Sequence, residues 1–86
     1  MTDSGRNQTK RSVTIAGHRT SLSLEEPFWE ELKAWAAEEG LSLNGLVARL
    51  DEERQGNLSS CLRVAVLERL RGRLRSAEEA AERPQP

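Results

Sequence analysis

The sequence predicts a mainly α-helical domain in which one short strand per chain pairs antiparallel in an intertwined homodimer and three helices follow. Residues 19–24 alternate polar and apolar side chains and then run into a helical segment with no turn between them. Three segments after residue 25 carry apolar side chains at helical spacing. The chain has 86 residues and a single cysteine, so oligomerisation is the usual remaining way to stabilise so small a core.

The chain is expected to divide into three parts. Residues 1–10 contain no aliphatic side chain after Met1 and are expected to form a disordered basic arm. Residues 11–75 form the folded domain, and residues 76–86, rich in Ala and Glu and ended by prolines, form a flexible tail. The sequence shows neither the apolar core of a signal peptide nor a run long enough to cross a membrane, so we expect a cytoplasmic protein with a reduced thiol.

Charge is segregated along the chain although the net charge is only −1. Residues 1–20 carry four basic side chains against one acid, residues 21–56 carry three against nine, and residues 57–86 carry six against four. Basic ends around an acidic middle are typical of a surface that faces a polyanion, and equally of ordinary solvated charge. Charge alone does not separate these interpretations.

Two extended runs precede the first helix, and their side-chain parity differs. In RSVTIAG, residues 11–17, Val13 and Ile15 lie on one side, whereas residues 19–24 have their apolar side chains at even positions. Such a flip requires a bulge, a bend or a turn, and Gly17 is the natural place for it. The first run is therefore either a short separate strand or an arm that leads into the second.

The second run has a face that suits DNA. A lone strand leaves both edges open, and the simplest remedy is an antiparallel pair with the same strand of a second copy across a two-fold axis. The outward face would then present Arg19, Ser21 and Ser23 twice. Arg and Ser bond base edges in the major groove, which admits a two-stranded ribbon. A solvated sheet face shows the same alternation, and alternation alone favours that interpretation.

The first helix is predicted from apolar residues at i, i+4, i+7 and i+8. They are Phe28, Leu32, Trp35 and Ala36. Trp29 lies beside this stripe and is expected to cover its edge. Pro27 suits a first turn, and Gly40 suits the left-handed position that closes a helix.

Two further helices follow, each with a candidate cap. Ser42 is a plausible N-cap of the second helix, and Asn57 or Ser59 of the third. The second helix has the apolar positions Leu43, Leu46, Val47 and Leu50. The third has Leu58, Leu62, Val66, Leu70 and Leu74. Its basic end, with Arg69, Arg71, Arg73 and Arg75, suits flanking phosphates and equally suits a solvated helix end.

Together the strand and the helices predict the core of the dimer. The predicted core positions are Leu22, Leu24, Phe28, Leu32, Trp35, Leu46, Val47, Leu50, Leu62 and Val66. Enzymatic function is not indicated, because His18 is the only histidine and no phosphate loop or metal-ligand spacing occurs. Cys61 lies on an apolar helix face and is expected to be a small core residue. We expect no catalytic residue, metal or cofactor.

The segment RTSLSLEEPFWEELKAWAAEEGLSLNGLVARL, residues 19–50, resembles the ribbon-helix-helix DNA-binding fold of the Arc and MetJ type. The likeness lies in a short strand, a helix, a tight turn containing Gly40 and a second helix that opens with Ser42. The longer pattern from KRSVTIAGHRTSLSLE to CLRVAVLERLR resembles a subgroup of small members, common in alphaproteobacteria, with an extra third helix. The resemblance covers about residues 10–72.

The resemblance implies which residues contact DNA. Outward strand residues of the family contact bases, and they match Arg19, Ser21 and Ser23. The family binds a phosphate at the N-terminus of the second helix, where this chain has Ser42, Leu43 and Asn44. The preceding segment departs from most members: Lys10 and Arg11 are candidate phosphate contacts. If RSVTI supplies the central ribbon instead, Ser12 and Thr14 face the groove.

These inferences predict a homodimeric, sequence-specific transcription regulator, a repressor that binds double-stranded DNA. The alternative is an interaction protein, either an antitoxin with a toxin-binding C-terminal segment or a purely structural dimer. The tail beyond Leu74 is short and rich in Ala and Glu, which disfavours a toxin-wrapping segment.

Overall fold

The computed structural model describes residues 8–54 and 56–82. Two antiparallel strands form a hairpin, and three helices follow it. The elements are β1 (Gln8–Ile15), β2 (His18–Glu25), α1 (Glu26–Glu39), α2 (Leu43–Glu52) and α3 (Leu58–Glu82). The prediction of a mainly helical chain with an additional C-terminal helix is confirmed. No helix within the described ranges is both long and apolar enough to span a membrane.

The predicted arm and tail lie partly outside the described residues, since residues 1–7 and 83–86 are not described. Residues 8–10, expected in the arm, begin β1, and residues 76–82, expected in the tail, continue α3. Gln8 and Thr9 are held by distant partners: the Gln8 amide donates to Glu25 at 3.0 Å, and the Thr9 hydroxyl donates to Glu26 at 2.6 Å. Ala and Glu at the end of α3 are strong helix formers.

A two-residue turn joins the strands. Ala16 and Gly17 have φ angles of +53° and +83°, and positive φ at both central residues is what a type I′ hairpin turn requires. The turn explains the parity flip at Gly17, because it folds β1 back so that Val13 lies opposite Thr20. The chain therefore has two strands where one was expected, and β2 finds a first partner within its own chain.

We expect Ala16→Asn to stabilise the protein. Ala16 has a positive φ, which costs a residue with a Cβ about 1–2 kcal/mol, whereas Asn tolerates this region and Asn-Gly is a favoured type I′ pair. The gain should be about 1 kcal/mol, or ~4–8 °C in Tm for a domain of this size. Thermal unfolding followed by circular dichroism measures it. Gly17→Ala is the matched opposite change, and an equal Tm for the two variants would contradict the turn assignment.

The core lies between the inner face of the hairpin and the three helices. Its buried members are Val13, Leu22, Leu24, Trp29, Leu32, Ala36, Leu46, Val47, Leu62 and Val66. Seven of the ten predicted core positions are among them, while Phe28, Trp35 and Leu50 are partly buried against this cluster. Trp29 is fully buried, so the expectation that it covers only an edge is wrong. α1 turns Trp29, Leu32 and Ala36 inward, because β1 packs over Trp29.

The predicted helix ends are confirmed where the structure tests them. Gly40 adopts a left-handed φ of +71°, and the Leu41 N–H donates to the Ala36 carbonyl at 2.8 Å. The Ser42 hydroxyl caps α2 by accepting from the Gly45 N–H at 2.9 Å. Of the two candidate caps of α3, Asn57 accepts from the Ser60 N–H at 3.1 Å. The caps at Gly40 and Ser42 keep α1 and α2 joined by a short, defined turn.

α3 runs alongside α1 in the same direction. Near the start of α1, Arg63 pairs with Glu25 at 3.0 Å, and near its end Arg69 and Arg73 both pair with Glu38. Arg69 also lies over the Trp35 ring, 5.0 Å from its centroid. Nine further residues of α3 follow Arg73, about 13 Å of helix at 1.5 Å per residue. The second half of α3 is consequently exposed.

Candidate nucleic-acid interface

The two candidate base-reading sets of the sequence lie on one face of the hairpin. The register places Thr14 opposite Arg19, Ser12 opposite Ser21 and Lys10 opposite Ser23. Directly opposed side chains of an antiparallel pair share a face, with Cβ atoms about 5 Å apart. We call this set the outer face; it consists of Lys10, Ser12, Thr14, Arg19, Ser21 and Ser23. The candidate base contacts of the first run and those of the second run therefore lie on the same face of the hairpin.

The outer face is exposed and positive. Five of its six side chains are exposed and Ser23 is partly exposed. Lys10 and Arg19 sit at opposite ends, and short hydroxyl side chains fill the space between them. Hydroxyls both donate and accept hydrogen bonds, and the two cations favour acceptors such as phosphate and guanine edges. The face can thus bind a flat, acceptor-rich, anionic surface.

Arg11 lies on the other side of β1. Its guanidinium carbon is 5.3 Å from the centroid of the Trp29 ring, over which it stacks. The Trp29 indole N–H donates to the Thr9 carbonyl at 2.8 Å, which ties the same ring to β1. Arg11 was a candidate phosphate contact beside Lys10, but the structure directs only Lys10 to the outer face.

Asn44 covers the free edge of β1 at Thr14. Its side-chain oxygen accepts from the Thr14 N–H at 2.8 Å, and its amide donates to the Thr14 carbonyl at 2.9 Å. The Asn44 side chain thereby gives Thr14 the two hydrogen bonds that a neighbouring strand would otherwise supply. Asn44 was expected at a phosphate site, and its side chain is engaged with β1, which leaves its backbone N–H for that role.

The outer edge of β2 is open. Because Thr14 directs its backbone groups to Asn44, its partner Arg19 directs its own groups away from β1, and in an antiparallel ladder every second pair does the same. Ser21 and Ser23 therefore also point their N–H and C=O groups outward. Within the described residues no hydrogen bond reaches these groups. The hairpin edge formed by β1 is thus covered at Thr14, whereas the edge formed by β2 is open.

The N-terminus of α2 lies beside β1. Leu43 and Asn44 line a shallow groove together with Ser12 and Val13. Within the described residues the Ser42 hydroxyl accepts a hydrogen bond from the Gly45 N–H, whereas the N–H groups of Leu43 and Asn44 have no acceptor. Free N–H groups and the helix dipole favour an anion at this position. The structure thus brings the predicted phosphate site to the flank of the outer face.

The acidic end of the hairpin is neutralised within the chain. Hydrogen bonds from the Gln8 amide and from the Arg63 guanidinium lower the pKa of Glu25 from 4.5 to about 2. The second Arg63 bond, from Nη2 to the other carboxylate oxygen, is 3.4 Å long. The Glu25 carboxylate at the edge of the outer face is thus held by a cation and presents less negative charge to an anionic partner.

We expect Arg63→Gln to raise the pKa of Glu25. The native pKa of about 2 lies below the unfolded value of 4.5, so the stability from this pair is present above pH 4.5 and is lost as the pH falls towards 2. The variant should lose part of this acid-dependent component, while the Gln8 bond retains the rest. NMR titration of the Glu25 carboxyl measures the pKa. Arg71→Gln is the control, and an unchanged Glu25 pKa in Arg63→Gln would contradict the assignment.

The arginines at the end of α3 divide into two pairs. Arg69 and Arg73 are bound to Glu38 of α1. Arg71 and Arg75 are exposed and line a shallow hollow with Glu68. Of these four arginines, Arg71 and Arg75 are, within the described ranges, the two without an ion pair to α1, which leaves them for an external anion.

Several contacts that build this surface leave no local signal in the sequence. The bonds of Asn44 to Thr14 and of Trp29 to Thr9 join residues 30 and 20 positions apart. No local pattern reports such pairs. The signal that was available was the alternation of Val13 and Ile15, which marked the first run as strand-like.

Comparison with known proteins supports this architecture. A family model for the ribbon-helix-helix domain matches residues 8–70, which include the hairpin, α1, α2 and the first half of α3. The solved structure of an uncharacterized protein from Bordetella pertussis Tohama I is similar, with a TM-score of 0.65 and 31% sequence identity. The alignment covers 84% of this chain and 60% of that chain. No curated protein matches the sequence.

Proposed function

Because the chain belongs to the ribbon-helix-helix family, whose members are DNA-binding regulators, we propose that it is a homodimeric, sequence-specific transcription repressor. It acts in the cytoplasm on double-stranded DNA and reads the major groove with strand residues. The observation that carries this proposal is the open edge of β2 beside the exposed, positive outer face.

Two copies of β2 pair along their open edges. Antiparallel pairing across a two-fold axis gives each outward N–H and C=O group a partner. The edge of β1 is occupied by Asn44, so the pairing takes place at β2. The resulting sheet has four strands in the order β1, β2, β2 and β1, with the two outer faces joined into one.

The width of the groove assigns the two strands different roles. Neighbouring strands are about 4.8 Å apart, so each β2 lies about 2.4 Å and each β1 about 7 Å from the two-fold axis. The major groove is about 12 Å wide, which admits the two central strands and places the outer strands near its edges. Arg19, Ser21 and Ser23 of β2 therefore contact bases.

Phosphate contacts come from the flanks of the sheet. Lys10, Ser12 and Thr14 lie on the outer strands, at the distance where the groove edges carry the DNA backbone. Beyond β1, the N-terminus of α2 offers the N–H groups of Leu43 and Asn44, with Ser42 as its cap. Arg11 contributes by holding Trp29 beneath the sheet.

A mobility-shift titration against the DNA upstream of its own gene, at two salt concentrations, tests the proposal. We expect a specific complex that is at least 10³-fold tighter than that with a shuffled sequence of equal composition. Its affinity should fall steeply with salt, because each neutralised phosphate contributes about −0.9 to the slope. Equal binding to both sequences would contradict base reading. Absence of any DNA complex from a folded dimer would favour the antitoxin or structural alternative.

A further inference from the structure

α3 carries a second apolar stripe, separate from the one that packs on the core. The core stripe consists of Leu58, Leu62 and Val66. The second begins with Leu67, Leu70 and Leu74, whose side chains are 50%, 39% and 60% exposed. Ala77 and Ala81 continue it at the same spacing. We call these five positions the α3 seam.

The spacing of the α3 seam is that of a coiled coil. Its members follow one another at intervals of three, four, three and four residues, which are the a and d positions of a heptad. At about 100° per residue they lie within an arc of about 80°, centred about 100° from the core stripe. Packing of α3 against α1, α2 and β2 therefore leaves the seam, within the part of the chain that the structure describes, exposed to meet another helix.

The charges beside the seam select a parallel partner of the same sequence. In a parallel, in-register pair the flanking position of Arg73 faces that of Glu78 on the other helix, and the reverse contact occurs by symmetry. The Arg73 side chain bonds Glu38 through Nη1 and is 59% exposed, so its guanidinium can meet the second carboxylate as well. The antiparallel register that keeps the leucines in contact centres on Gly72 and places Arg71 and Arg73 near their own copies. Like charges at such positions oppose pairing.

We propose that the α3 seam packs against the α3 seam of a second copy of this chain, as a parallel two-helix zipper. Three half-exposed leucines cover less area than the ~1,200 Å² of a stable free-standing interface. The zipper therefore rests on the proposed dimer and forms between chains already paired at β2. It extends the interface from the DNA-facing sheet to the C-terminal end of the protein.

Disulfide trapping tests the zipper. A parallel pair places residue 74 opposite itself, within the Cα separation of about 4.4–6.8 Å that a disulfide needs. Leu74→Cys is made in a Cys61→Ser background, and Glu79→Cys, about 140° from Leu74 around the helix, is the matched control. In a glutathione redox buffer we expect most of the Leu74→Cys protein, and at least ten times less of the Glu79→Cys protein, to run as a covalent dimer on a non-reducing gel. Both positions are exposed, and circular dichroism checks the fold of each variant.

The outcomes separate the zipper from the dimer on which it rests. Wild-type mass by analytical ultracentrifugation reports the dimer independently of any cross-link. A wild-type dimer with no cross-link at Leu74→Cys, or with equal cross-linking at both positions, overturns the zipper and leaves the β2 pairing intact. A wild-type monomer at micromolar concentration overturns the β2 pairing and the zipper together.

Discussion

Ser21→Pro should convert the protein into a monomer that no longer binds DNA. The Ser21 N–H points away from β1, so a proline there leaves the hairpin ladder intact. In the proposed dimer the same N–H bonds the second copy, and the change removes that bond twice and places two rings in the interface. Lost bonds and unpaired carbonyls should together cost about 3–6 kcal/mol, a rise of at least ~10²-fold in the dimer Kd. Sedimentation equilibrium measures it.

Ser12→Pro is the matched control for this change. Ser12 lies directly opposite Ser21, and its N–H points to the other edge of the hairpin, next to α2. Both variants lose one outward N–H from the same cross-strand pair. Ser12→Pro should remain a dimer. If the two variants have the same mass, β2 is not the edge at which the copies meet.

Arg19→Ala should weaken discrimination between operator and shuffled DNA by about 10²-fold while the dimer stays folded. Arg19 is exposed at the end of the outer face, and within the described residues no hydrogen bond holds its side chain. A bidentate Arg contact with guanine contributes about 1–3 kcal/mol of discrimination, and the dimer has two copies. We therefore expect specific affinity to fall by about 10²-fold with little change in Tm. Competition mobility shifts measure the ratio of specific to non-specific affinity.

Arg19→Lys separates base reading from simple charge. Lys keeps the cation but lacks the planar fork that bonds both guanine acceptors. The Lys variant should lose discrimination about as the Ala variant does but keep the salt dependence of the wild type, whereas the Ala variant should also show a smaller salt dependence. If Arg19→Ala discriminates between operator and shuffled DNA as well as the wild type does, β2 does not lie in the groove.

The helices were predictable because their signals are local. The cap at Ser42 and the left-handed Gly40 report on residues within one turn of each other, and the structure confirms both. The rotation of α1 was less predictable, since Phe28 and Trp29 are neighbouring apolar residues and either could face the core. β1 decides that Trp29 faces the core, because the Trp29 indole N–H donates to the Thr9 carbonyl. The spacing of apolar residues within a helix does not report a contact with a residue 20 positions away.

The strands were predictable only in part. Alternation identified both runs, and the parity flip located the turn at Gly17. Alternation does not report which strand pairs with which, so β2 was expected to lack a partner in its own chain. The candidate base contacts of either run nevertheless share one face, because cross-strand neighbours point the same way.

The two bonds from Asn44 to Thr14 have a consequence for how large the assembly becomes. A hairpin with two open edges can recruit copies on both sides, which leads to an unlimited fibre. Asn44 occupies the edge of β1 at Thr14, so in the proposed dimer sheet growth has a single direction and stops after one addition. In the proposed dimer one amide side chain thus hinders edge-to-edge aggregation at β1 and makes a closed pair the end point of self-association.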